Sequence, residues 1–296
     1  MSKTITLRAH GFTAEIWTQG ANVVRLDHQG QHLLYCPENP QPGTEPRRFG
    51  CWPMVPMCNR AFDAKLDTGI GIFDLPANDP AGTNIHGDGW QAEWTVEHLT
   101  DNRVVLRHVA FKFGPYAYVA RMALTLEAGG VNFDLALTNL SHATLPFGMG
   151  FHPWFPCNTE TRISFSAAGE VYMREGFRPE SHGPVRADND FTLPHAPRQP
   201  QNGVDHEIAA NYTGWDGKMR LDWPNRGKSL NLLASPNLRH PVLWSPVGAD
   251  FVCFEPQSHA VGAQTEGLIR AIAPLTMLAH GQSLNGAMRL VPEDLT

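Results

Sequence analysis

Apolar side chains in this chain alternate with polar ones over short stretches, and glycine or proline breaks nearly every stretch before a helix has room to form. In Val131-Asn-Phe-Asp-Leu-Ala-Leu-Thr-Asn139, residues Val131, Phe133, Leu135 and Leu137 fall on one face at a period of two. A helix would scatter these four around its circumference, whereas a strand buries them together. The run at 120–126 reaches this one through Glu127-Ala-Gly-Gly130, a short link with two glycines, which predicts a hairpin. Similar runs recur at 14–17, 22–27, 32–35, 94–98, 104–111, 162–167, 219–223, 230–234, 241–244, 251–254 and 287–291.

The 27 Gly and 24 Pro are spread along the whole of the 296 residues. No segment of about 12 residues keeps the apolar period of a helix, and no internal repeat is visible. The fold class expected is therefore all-β, a large sandwich in one domain over residues 1–296. Residues 176–211 are the least periodic and read as a long surface excursion rather than a linker.

A formal net charge of −6, without a cluster of Lys and Arg, argues against nucleic acid or an acidic membrane surface as partner. No stretch reaches the roughly 20 apolar residues of a membrane span, and the N-terminus lacks the pattern of a secretory signal. Cys36, Cys51, Cys58, Cys157 and Cys253 are odd in number and widely spaced, which suggests neither disulfides nor a zinc knuckle. The expected compartment is the cytoplasm, and self-association as a homodimer is left open.

Four segments place polar side chains at stiff, strand-like positions. They lie at 49–60, 83–90, 145–155 and 250–258. Glu255 follows the apolar run at 251–254 and precedes Pro256, where a strand ends and a carboxylate is partly desolvated. His152 stands among Phe151, Pro153, Trp154 and Phe155, so its imidazole needs a partner or stays neutral. His86 precedes Gly87, which would let a ligand approach the backbone. Arg60, beside Asn59, offers a fork of donors to hydroxyls or carboxylates. Each of these residues alone also fits a plain structural role: a surface ion pair, a core or turn histidine, a surface charge. Trp52, Trp90, Trp154 and Trp215 offer flat faces to the C–H side of a pyranose, or simply fill the core. Motifs for nucleotide hydrolysis, serine hydrolysis and simple zinc sites are absent from the sequence. His86, His152 and Glu255 could meet around a metal only in space, so no metal site is expected.

Taken in order, the segments resemble the aldose 1-epimerase (galactose mutarotase-like) family. The resemblance rests on Val55-Pro-x-x-Asn59-Arg60, His86-Gly87, His152-Pro-Trp-Phe155 and Glu255-Pro-Gln257, with Tyr212-Thr-Gly-Trp-Asp-Gly217 and His280-Gly-Gln-Ser283 in support. It implies a β-sandwich of the supersandwich type and interconversion of the α and β anomers of a free monosaccharide, with no cofactor. By position, Glu255 would be the general base on the C1 hydroxyl and His152 the general acid at the ring oxygen, on opposite sides of one pyranose. Asn59, Arg60, His86 and Trp154 would bind the sugar. The chain departs from the family pattern after Arg60 and at Phe151. It also departs before Tyr212, where a gapless match puts Ala209 and a longer loop puts Asp205 as the substrate-binding residue. Alternatives are a sugar-binding or sugar-sensing module without turnover, an epimerase of a sugar phosphate, and a glycoside hydrolase with a second carboxylate.

Overall fold

The period-two stretches become the strands of two large antiparallel sheets. A computed structural model of the chain describes residues 2–38, 40–41, 45–197 and 207–295. The larger sheet has 11 strands, and its main path runs Thr4–Ala9, Phe12–Trp17, Asn22–His28, Cys51–Met54, Gly150–Pro156, Phe251–Glu255, Val242–Ser245, Ile208–Thr213, Gly169–Arg174 and Arg178–Gly183. The second, of 8 strands, runs Thr95–Leu99, Arg103–Phe113, Tyr116–Glu127, Gly130–Asn139, Ser283–Asp294, Lys228–Ala234, Lys218–Trp223 and Arg162–Phe165. Among the described residues the one α-helix is Gly267–Ile272, as the density of Gly and Pro requires. Among the same residues no helix is long and apolar enough to cross a membrane. The all-β expectation stands.

The predicted hairpin is present and tighter than expected. Leu126 pairs with Val131 and Glu127 with Gly130, so only Ala128 and Gly129 make the turn. Val131, Phe133, Leu135 and Leu137 all face the core. There Phe133 of the smaller sheet meets Phe151 of the larger one edge to face, with ring centroids 5.9 Å apart, and Phe165 meets Phe254 in the same way at 4.9 Å. Each such ring contributes roughly 1.5–3 kcal/mol by leaving water, so these contacts bind sheet to sheet.

Two expectations need correction. Residues 176–211 do not run as one surface excursion: Arg178–Gly183 forms the edge of the large sheet and Ile208–Thr213 lies inside it. This edge strand pairs with another strand on one side only, which is why Pro179 is tolerated there, and most of its residues are half-buried rather than alternately buried and exposed. The stretch at 32–35 is a strand only at Gln31–His32, and Leu33 and Leu34 turn into the core.

Candidate active site

Four strands from three distant parts of the chain lie side by side in the large sheet and set one face of a cleft. His152 pairs with Trp52, Trp154 with Cys253, and Val242 with Glu255. Side chains alternate along each strand, so Phe151 and Phe155 enter the core while His152 and Trp154 line the cleft. Glu255 closes the strand Phe251–Glu255 at Pro256, as expected from the sequence.

The opposite wall is built from two loops that hold each other. The Asn59 N–H donates to His86 Nδ1 (3.0 Å), and the His86 N–H donates to the Asn59 carbonyl (3.0 Å). Both residues adopt left-handed backbone, φ 55° and 59°. Gly87 is also left-handed, φ 71°, and a Cβ there would overlap the Val55 carbonyl. The glycine thus admits the chain's own backbone rather than a ligand. Cys58 is held through both of its backbone groups: its N–H donates to His259 Nε2 (3.0 Å) and its carbonyl accepts from Gln264 Nε2 (2.7 Å). Arg60, next along, lays its guanidinium 5.2 Å from the Phe177 ring centroid.

His152 Nε2 lies 3.3 Å from Glu255 Oε1. Both residues are buried, at 6% and 3% exposure, so neither charge is bathed by water. The imidazole is flanked by Trp52 (centroids 4.4 Å, 24°) and Trp154 (5.5 Å, 18°), and His86 meets it edge-on at 5.2 Å. Burial pushes Glu255 up to about 8, against the pull of the Gln257 hydrogen bond and the Arg60 charge. Burial likewise pushes His152 down to about 3 and holds His86 well below the usual histidine range. At neutral pH the pair therefore carries one proton, and burial places it on the carboxyl. At 3.3 Å no ring fits between the two groups. They stand side by side, a correction to the expectation of opposite sides.

His86, His152 and Glu255 bring their ligand atoms within 4.8 Å of one another, a convergence invisible in their spacing. The donor set fits a metal poorly. Because His86 Nδ1 accepts the Asn59 N–H, its proton sits on Nε2, and a metal at Nε2 would displace that proton. Metal-bound histidines instead donate their second nitrogen to an acceptor. As oriented, His86 is a hydrogen-bond donor.

The cleft, about 400 Å³, is lined by all five of Asn59, Arg60, His86, His152 and Glu255, and by Trp154. Asp205 lies outside the described residues. Ala209 lines the cleft as the gapless match has it, with Asn211 and Glu207 on the same strand face or just before it. Glu207 accepts from Trp244 Nε1 (2.8 Å). The sequence shows no cationic cluster around the four segments, yet Arg47 and Arg48 join Arg60 in the wall. Both are engaged by Glu45, and Arg47 also approaches Asp79 (3.8 Å) and stacks over Trp90 (4.4 Å). Asn211, Trp244 and Arg47 carry no motif. The signal that would have found Asn211 is its two-residue offset from Ala209.

The aldose 1-epimerase family model matches residues 3–290. The Escherichia coli K12 protein YphB, itself uncharacterized, is 30% identical over 252 residues, which cover 81% of this chain and 82% of YphB. YihR of the same organism, also uncharacterized, is 26% identical over 241 residues, 78% and 75% of the two chains. Among solved structures, that of a candidate aldose 1-epimerase from Escherichia coli K12 aligns over 100% of both chains with TM-score 0.89 and 26% identity. A galactose mutarotase-like protein from Clostridium acetobutylicum aligns over 99% of this chain and 96% of its own, with TM-score 0.85 and 20% identity. By its sequence, over nearly its full length, this chain belongs to the aldose 1-epimerase family.

Proposed function

We propose that the chain is a cofactor-independent aldose 1-epimerase acting in the cytoplasm on a free monosaccharide, with Glu255 and His152 as its acid–base pair. The observation that carries this reading is the 3.3 Å contact between Glu255 Oε1 and His152 Nε2 inside a cleft of sugar-binding size. The two oxygens that exchange protons in anomer interconversion, O1 and the ring oxygen, share one carbon. Two adjacent groups on one side of the sugar can serve both.

In the carboxylate–imidazolium form of the pair, Glu255 takes the O1 proton as the C1–O5 bond breaks, and His152 delivers its proton to O5. The products are the open aldehyde, a protonated Glu255 and a neutral His152, the form that burial favours. After rotation about C1–C2 the steps reverse: His152 takes the O5 proton, O5 closes on the other face of C1, and Glu255 returns a proton to O1. In each half-reaction the pair takes one proton from the sugar and gives it another, so its own proton count stays at one and none is exchanged with water. General acid–base catalysis of this kind contributes roughly 10²- to 10⁴-fold per positioned group.

His86 presents its Nε2–H to a sugar oxygen, and Asn59, Arg60 and Trp154 complete the binding wall. Arg60 has no carboxylate partner within ion-pair distance among the described residues, which leaves its fork for sugar hydroxyls. Because Glu45 and Asp79 together offset the charges of Arg47 and Arg48, a neutral aldose suits the cleft better than a sugar phosphate. The test is anomer exchange on freshly dissolved aldoses, followed by polarimetry or saturation-transfer NMR. Saturable sugar binding with no acceleration over the spontaneous rate would replace the enzyme with a sugar-binding module.

A further inference from the structure

Beyond the proposed acid–base pair, one fully buried polar side chain reaches the carboxylate and has no part in the reaction as drawn. Gln257 stands two residues after Glu255 in extended chain, so both side chains project to the same face across Pro256. Its segment is stitched to the neighbouring strand end: the Phe151 N–H donates to the Pro256 carbonyl (3.1 Å) and the Ser258 N–H to the Met149 carbonyl (2.9 Å). The Gln257 carbonyl itself accepts from the His240 N–H (3.0 Å). With its backbone fixed and its exposure 0%, the side chain has one place to go. Its Nε2 donates to Glu255 Oε2 at 3.0 Å, while its Oε1 is buried without a partner. The other carboxylate oxygen faces His152.

We infer that Gln257 is a positioning residue that holds Glu255 in place through both of its protonation states, donating to the carboxylate and, after a half-turn of its amide, accepting from the carboxylic acid. An amide is the one uncharged side chain with a donor and an acceptor related by such a turn. The orphaned Oε1 is the acceptor that the protonated acid calls for. A lysine or arginine there would lock the carboxylate form, and an apolar residue would strand a buried acid oxygen. The remaining titratable or charged groups around Glu255 are His152, His86, Arg60, Arg47, Cys58 and Cys253, with His259 and His240 beyond Gln257. None of them both donates and accepts at Oε2.

The inference rests on the proposed acid–base role of Glu255, and two measurements keep the two apart. In the wild-type protein, the Gln257 side-chain amide resonances and the Glu255 carboxyl carbon should titrate together with one midpoint. This needs no catalysis, and amide signals that stay fixed while Glu255 titrates overturn the inference. In Gln257→Met, kcat should fall about 10- to 100-fold with KM within about threefold, and the alkaline limb of the pH profile should move up by about one unit, because a donor to the carboxylate is lost. A Gln257→Met enzyme with the wild-type kcat and limb overturns it. A wild-type protein that does not exchange anomers sinks the epimerase reading instead and leaves the titration result to judge Gln257.

Discussion

Glu255 Oε1 and His152 Nε2 stand 3.3 Å apart on adjacent strands of one sheet, both buried, with the imidazole flanked by two indole rings. Replacing either with a neutral isostere, Glu255→Gln or His152→Asn, should cost roughly 10²- to 10⁴-fold in kcat for anomer exchange. Since one proton serves both groups, the double variant should lose about as much as either single one. Losses that multiply in the double variant would show two independent groups.

The same pair sets the pH profile. Between the lowered His152 value, about 3, and the raised Glu255 value, about 8, it holds the one proton that turnover needs. The profile of kcat/KM, corrected for the spontaneous reaction, should be flat across neutral pH and fall above about pH 8 as that proton leaves. A profile that instead rises steadily through pH 8 would require an ionised Glu255 with no shared proton.

A buried carboxyl also bears on stability. The folded value for Glu255 is raised above the ordinary 4.5 to about 8, so the native state keeps a proton that the unfolded chain releases within this window. Wild-type stability from this group is full below about pH 4.5 and declines as pH rises to about 8, by at most about 1.4 kcal/mol per pH unit. Glu255→Gln removes the titration, so its melting temperature should gain on the wild type as pH is raised across that range. Parallel melting curves at every pH would contradict the burial argument.

Gly87→Ala tests the loop pair. The substitution puts a side chain at φ 71° and against the Val55 carbonyl, which should cost roughly 2–4 kcal/mol. It should raise KM more than it lowers kcat, because it displaces His86 and Asn59 while sparing Glu255 and His152. Thermal denaturation and steady-state kinetics read the two effects.

The strands were legible wherever one face is buried and the other wet, as at Val131, Phe133, Leu135 and Leu137. They were not legible at Arg178–Gly183, where most residues are half-buried and no face alternates, or at Ile208–Thr213, buried too evenly to alternate. The site residues stood out because Pro, Gly and His at strand ends are unusual in a plain core. The 3.3 Å separation of Glu255 and His152 depends on which distant strands become neighbours, and nothing local encodes that. Arg47, Asn211 and Trp244 escaped for the same reason: their place in the wall is set by sheet order.

The site draws on Cys51–Met54, Gly150–Pro156 and Phe251–Glu255, neighbours in the sheet but drawn from the early, middle and late parts of the chain. During synthesis the first two emerge long before the third, so a nascent chain still on the ribosome has the imidazole but no carboxylate beside it. The proposed acid–base pair is therefore complete only once the strand ending at Glu255 has joined the sheet, and chains cut short before Glu255 lack it however well their first strands have paired.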